Sequence, residues 1–226
     1  VASALGTGYD IDNSCRFNRS DSPSLTLTPG SNSASRTALT ISFWFKRGVL
    51  AAGGDDIYTI FHTTTTNSGY IYLSINAAQQ IDFSIQNNNY TSSPTTGFKE
   101  RKITNRVFRD PSAWYHCVIE VDTTESTATD RLKIWINGAR ESSWSHETNN
   151  TNQNQSLPVH VGSTSHEFNV GRQGNGSYYW DGYLAEFFYI DGTGYGASSF
   201  GEFDEDSPTI WKPKDCSGDL TFGTNG

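Results

Sequence analysis

The carboxylates that invite a chemical reading lie in Glu202-Phe203-Asp204-Glu205-Asp206. Alternate residues of a strand point to one side, and a pair of carboxyl groups so aimed is what glycoside cleavage requires. Here Pro208 follows two residues after Asp206, which argues against a central strand and for a solvated acidic turn. The five histidines, His62, His116, His146, His160 and His166, lie in no motif that sets a nucleophile beside them, and no Gly-x-Ser-x-Gly elbow occurs. His116 falls opposite the aliphatic side of its segment and reads as a surface or groove residue. The three cysteines, Cys15, Cys117 and Cys216, are too few and too far apart for a zinc site or a disulfide framework, although Cys15 and Cys216 sit where the chain ends can meet and pair. Cys117 shares a face with Tyr115, Ile119 and Val121 and reads as a small buried hydrophobe. No catalytic residue is expected, and the chain reads as a non-enzyme.

Aromatic side chains carry the stronger signal. Trp44, Tyr70, Tyr72 and Trp135 all lie on the side of their segments opposite the Ile, Leu and Phe set. If those segments share one sheet they form an aromatic patch. Flat rings can stack on the apolar faces of sugars while Asn, Gln and Asp bind hydroxyls, and the same rings can be buried in a protein interface or under the chain's own loops. A second cluster, Gly174-Asn175-Gly176-Ser177-Tyr178-Tyr179-Trp180, sets three rings in a row, of which alternate members at most can enter a core. Asn175, Tyr178 and Tyr179, with Trp144, are the candidates for a sugar site at the loop end, with Trp180 instead able to plug the edge of the core.

These residues need a scaffold, and composition says which kind. Ser, Thr, Asn and Gly are abundant, aromatics reach 13%, and the strong helix formers are scarce, so strands joined by turns are expected. Thr40-Ile41-Ser42-Phe43-Trp44-Phe45-Lys46 alternates with period two, as do Tyr70 to Ile75, Ile81 to Ile85 and Arg131 to Ile136. Asn76 to Gln80 suits a hairpin connection, and Asn137-Gly138 a type I′ turn. Further strands are expected at Leu25 to Thr28, Ile57 to His62, Ile103 to Val107, Trp114 to Val121, Val159 to Gly162, Phe168 to Gly171 and Tyr183 to Ile190. Ser142 to Gln155 breaks the rhythm and reads as a long exposed loop. The expected fold is all-β, a two-sheet antiparallel β-sandwich of jelly-roll topology over residues 1–214. Residues 198–214 read as a turn or short helical piece running into an extended stretch, and residues 215–226 as a C-terminal linker or the start of a following segment.

With 16 Lys plus Arg against 24 Asp plus Glu the formal charge is −8, which repels a phosphate backbone, so nucleic acid is excluded as an expected partner. No apolar run is long enough for membrane insertion. The chain begins at Val1 and contains no Met, so it reads as part of a longer polypeptide.

Four segments, in order, resemble the strand motifs of laminin-G-like domains in the concanavalin A-like superfamily: Ala38 to Gly48, Ala113 to His116, Asp130 to Gly138 and Trp180 to Gly192. The stretch from Ser198 to Lys214 is similar to versions found in virion proteins of tailed phages. The likeness covers about Asn13 to Lys214. It implies a lectin-like or adhesion module on a virion surface or in an extracellular setting, binding a cell-surface glycan and touching neighbouring virion subunits as a homo-oligomer or part of a larger assembly. It equally allows a purely structural decoration or spacer domain, and more remotely a glucanase-like hydrolase. Domains of this type often hold Ca²⁺ at the rim with Asp side chains and carbonyl oxygens, and Asp10, Asp12 and Asp181 are the candidate ligands, with Asn13 and Glu186 nearby in the pattern. The expected sugar contacts are Trp44, Tyr72, Trp135, Trp144, Asn175, Tyr178 and Tyr179.

Overall fold

The structure is a computed structural model that describes residues 9–33, 35–50, 57–64, 69–87, 99–157, 164 and 166–225. The strands in chain order are β1 (Cys15–Phe17), β2 (Leu25–Leu27), β3 (Ala38–Arg47), β4 (Tyr58–Thr64), β5 (Gly69–Ile75), β6 (Gln80–Asn87), β7 (Lys99–Val107), β8 (Trp114–Asp122), β9 (Leu132–Ile136), β10 (Ala139–Arg140), β11 (Trp144–Asn149), β12 (Glu167–Val170), β13 (Gly182–Asp191), β14 (Gly201–Phe203) and β15 (Trp211–Pro213). The back sheet has the order β1-β13-β3-β8-β9-β10 and the front sheet β11-β7-β6-β5-β4-β12-β2, with every pairing antiparallel. This is the expected two-sheet sandwich.

The alternation of the sequence accounts for the core. Ile41, Phe43 and Phe45 of β3 meet Ile71, Leu73 and Ile75 of β5 and Ile81, Phe83 and Ile85 of β6 in one fully buried cluster, which Leu132, Ile134 and Ile136 of β9 also enter. Burying such side chains contributes about 1.5–3 kcal/mol each. The tight connections match their residues. Asn137 at φ 49 and Gly138 at φ 77 are both left-handed, as a type I′ turn demands. Asn76 closes the β5 to β6 hairpin by accepting from the Gln80 N–H at 3.0 Å.

Three expectations are corrected. Residues 142–155 are not a long loop: β11 pairs with the β7 edge, with a bulge after Trp144. An edge strand is wet on both faces, so the amphipathic pattern that marks a strand is missing there. Residues 198–214 are not an extended tail: after a 3-10 turn at Ala197–Ser199, β14 and β15 form a ribbon. The aromatic set Trp44, Tyr70, Tyr72 and Trp135 is no single patch, because Trp44 and Trp135 lie on the back sheet and both tyrosines on the front. The strand expected at Val159 to Gly162 lies outside the described residues.

The ribbon and the chain that follows it cap the back sheet. Val118, Ile190, Ala197, Phe200 and Cys216 form a second apolar cluster, against which Trp135, Trp211 and Leu220 pack. Beyond Lys214 the chain stays against the sheet, and the Asn225 N–H reaches the buried Asp191 carboxylate at 3.3 Å. Trp211 lies flat on the β9 to β10 turn, where a Cβ on Gly138 would come within 2.3 Å of its ring. Gly138→Ala should therefore cost about 2–3 kcal/mol in urea denaturation, combining left-handed backbone strain with displacement of the ring. Gly30, where a Cβ would meet nothing within 4 Å, is the control, and Gly30→Ala should be close to neutral.

Candidate functional site

The capped back sheet decides the fate of two candidates. His116 is 1% exposed, not a groove residue. Its ring stacks on Trp44 at 4.7 Å and on Trp211 at 6.0 Å. Trp211 Nε1–H can only donate, so His116 Nδ1 accepts that bond at 3.0 Å, and the proton on Nε2 goes to Ser42 Oγ at 3.0 Å. Burial holds the His116 pKa down at about 3. Trp44 is itself buried beneath this stack and is unavailable to a ligand. Trp135 stays half-buried beside Trp211, Phe203 and Gly196 in a groove of about 510 Å³.

The front sheet keeps its rings at the surface. Side chains at successive register positions across the strands form a transverse row: Asn169 of β12, His62 of β4, Tyr72 of β5, Ser84 of β6, Arg101 of β7 and Thr148 of β11. They face outward because their neighbours Phe168, Phe61, Leu73, Phe83 and Ile85 face the core. Tyr70, one step along β5, packs on His62 at 5.8 Å and on Tyr72 at 6.2 Å. Both tyrosines are partly exposed. Asp82, two residues before Ser84, accepts a fork from Arg101, with Nε at 3.0 Å and Nη2 at 2.6 Å.

The loop after β12 forms a wall of this face. Gly174 N–H donates to His62 Nδ1 at 3.2 Å, and Thr59 N–H to the Tyr178 carbonyl at 2.9 Å. Thr59 Oγ1 is also 3.4 Å from the Tyr72 hydroxyl, so Tyr178 and Asn175 lie on the loop that adjoins the Tyr72 end of the row. His62, like His116, is held neutral by burial, with its pKa lowered to about 4. The Tyr72 hydroxyl is pushed up by burial, so it stays protonated and can donate.

Of the expected sugar contacts the fold thus brings Tyr72, Tyr178 and Asn175 to one region. Tyr179 belongs to the same loop, and Gly176 lies against its hydroxyl. Trp144 is elsewhere, packed against the core from the edge strand with Lys102 Nζ 4.8 Å over its ring. His62, Ser84, Asp82 and Arg101 were not singled out as site residues from the sequence. The signal available for them was the polar half of the β6 and β7 alternation, which becomes a site only once the sheet order is known.

The other candidates take structural positions. Asp181, 4% exposed, accepts the Arg19 N–H and the Val49 N–H, each at 3.1 Å, and stands 3.6 Å from Arg16. Asp10 and Asp12 lie on the exposed chain before β1, where Tyr9 bonds Glu186. Among the described residues no group of three His, Cys, Asp or Glu side chains converges as a metal site, so Asp10, Asp12 and Asp181 are not gathered into one. Cys15, Cys117 and Cys216 are all free thiols. Glu202 and Asp204 share Lys212, at 3.5 and 3.4 Å, and Asp204 closes a turn by accepting the Asp206 and Ser207 N–H groups, which is the acidic turn expected. Among the described residues no helix is long and apolar enough to cross a membrane.

Comparison with solved structures finds the same architecture. Domains LG4-5 of the mouse laminin alpha1 chain superpose with a TM-score of 0.53 at 11% identity over 86% of this chain, which spans 46% of that structure's length. A native heptameric SAP-like pentraxin from Limulus polyphemus gives 0.47 at 14% identity, covering 81% of this chain and 74% of its own. Domain 4 of AbnA, a GH43 extracellular arabinanase from Geobacillus stearothermophilus solved with arabinotriose, gives 0.49 at 18% identity, covering 83% and 77%. No curated protein matches the sequence. A family model does, over residues 19–193, and by that match the chain belongs to the concanavalin A-like lectin/glucanases superfamily, in its laminin G form.

Proposed function

We propose that this chain is a non-catalytic carbohydrate-binding module whose site is the outer face of the front sheet. The observation that carries the reading is the transverse row, in which partly exposed tyrosines stand beside a neutral histidine, a serine hydroxyl and a carboxylate–guanidinium fork. Rings supply a flat apolar surface for a pyranose, and the flanking groups offer donors and acceptors at fixed positions. Strands hold these groups more rigidly than a loop would, which lowers the entropy lost on binding. The likeness of residues 198–214 to phage virion versions supports display on a particle or another extracellular surface, with a cell-surface glycan as the partner.

A glycan array run with and without calcium tests the reading, and the calcium arm reports whether an ion at Asp10, Asp12 or Asp181 contributes. Tyr72→Ala should weaken any glycan detected by roughly thirtyfold, the size expected for a central aromatic contact. Trp135→Ala, on the other sheet, should leave it unchanged.

A structural decoration or spacer role is the second reading, and one observation favours it. Edge strand β2 exposes Leu25 at 55% and Leu27 at 58%, next to an apolar cleft lined by Phe17, Val170, Leu184 and Phe187. An uncharged apolar edge is a ready contact for a neighbouring subunit. Silence on the array together with a concentration-dependent oligomer that Leu27→Lys dissociates would favour this role.

A further inference from the structure

We infer that the front-sheet face takes a neutral glycan and discriminates against sialylated, uronic or sulfated ones, and that Asp82 is the residue that sets this preference. The inference rests on the carbohydrate reading of that face and names the ligand's charge class.

The argument is one of charge bookkeeping. Among the described residues the guanidiniums on this face are each matched by a carboxylate. Arg101 is forked onto Asp82, and Arg172 pairs with Glu167 at 3.1 Å while its Nε–H bonds Asn169. His62 accepts a backbone N–H and is uncharged, and His146, at the far edge, shares a hydrogen bond with Thr148. Glu147 of the same edge strand turns toward the core and pairs with Lys102. The connecting segments at residues 65–68 and 88–98 contain no Asp, Glu, Lys, Arg or His, so by sequence they bring no charge to the face.

An anionic sugar would have to draw Arg101 away from Asp82. The two partners are unequally placed, since the Arg101 side chain is 37% exposed and that of Asp82 only 9%. Pulling the guanidinium toward a ligand therefore leaves a buried carboxylate without its counter-charge, which is strongly unfavourable. The net charge of −8 adds a repulsive long-range field. Hydroxyl groups incur neither penalty, because they can bond the edges of an intact fork. Selection against the wrong ligand is thus built from a stranded charge rather than from a clash.

The experiment is an array of matched glycans, neutral, sialylated and sulfated on the same cores, read at neutral pH with the wild-type chain, Asp82→Asn and the double variant Asp82→Asn/Arg101→Gln. Wild type should bind its best neutral glycan at least tenfold more tightly than the anionic counterparts. Asp82→Asn, which removes the carboxylate from Arg101, should gain at least tenfold for anionic glycans. The double variant, uncharged at both positions, should lose that gain. Wild type preferring anionic glycans overturns the inference and leaves the carbohydrate reading standing. No binding to any glycan overturns both. An Asp82→Asn variant that folds, judged by near-ultraviolet circular dichroism, and shows no gain removes Asp82 from its assigned role, and if that variant fails to fold the wild-type ratio alone decides the ligand class.

Discussion

Asp181→Ala should lower stability in urea denaturation by about 3–5 kcal/mol, and by the same amount with calcium or with a chelator. The carboxylate is buried and holds the Arg19 and Val49 N–H groups together at the edge of the sandwich. It is also the nearby counter-charge for Arg47, whose guanidinium is almost fully buried over Tyr58 and Trp180 and is held by the carbonyls of Phe108 and Val49. Burial lowers the Arg47 pKa, and the Asp181 charge opposes that shift. Removing the carboxylate leaves two buried donors unsatisfied and a buried cation less compensated. Room for relaxation is small, since a Cβ on Gly48 would lie 1.9 Å from Asp181 Oδ1 and one on Gly182 would lie 2.2 Å from the Lys46 carbonyl oxygen. A loss seen only when calcium is present would make Asp181 a metal ligand instead of a strut.

The second large effect is expected at His116. His116→Phe keeps a ring between Trp44 and Trp211 but removes the acceptor of Trp211 Nε1–H and the donor to Ser42 Oγ, so it should cost about 2–4 kcal/mol at pH 8. Its pH dependence has a definite sign. The folded pKa, about 3, lies below the ordinary 6.5, so the unfolded chain binds the proton first as pH falls. The stability that the neutral ring supplies is complete above pH ~6.5 and is lost progressively as the pH falls toward ~3. Between pH 8 and pH 5 this group should remove about 2 kcal/mol from the wild type and nothing from the variant, so the two denaturation curves converge on acidification. Parallel curves would mean that His116 is protonated in the folded state, and the stack would need another account.

How far the sequence reaches can be judged from single positions. Alternation along β3, β5, β6 and β9 is a local property, and Ile41, Phe43, Leu73 and Ile134 lie fully buried as their spacing requires. Alternation also places His116 opposite the core, yet what covers that face is Trp211, 95 residues further on, and no local pattern announces a contact so distant. The same limit applies to the rings. Spacing tells which side of a strand Trp44 and Tyr72 take, but sheet order decides which rings meet, and it separates Trp44 from Tyr72. Edge strand β11 escapes notice because its polar residues are wet on both sides. The fork between Asp82 and Arg101, 19 residues apart, depends on the register of β6 against β7, which a bulge between Gln80 and Asp82 shifts. A shift of one residue moves every side chain to the other face, so such a pair is invisible until the register is known.

The site assignment is tested most directly by chemical-shift mapping on the isotopically labelled chain, titrated with the neutral oligosaccharide that scores best on the array. The amide and ring signals of His62, Tyr70, Tyr72, Ser84 and Arg101 should move together and saturate with one dissociation constant, while those of Trp135, Phe203 and Trp211 stay in place. Shifts confined to Trp135, Phe203 and Trp211, with the front-sheet row unmoved, would contradict the assignment and put the ligand on the opposite side of the sandwich.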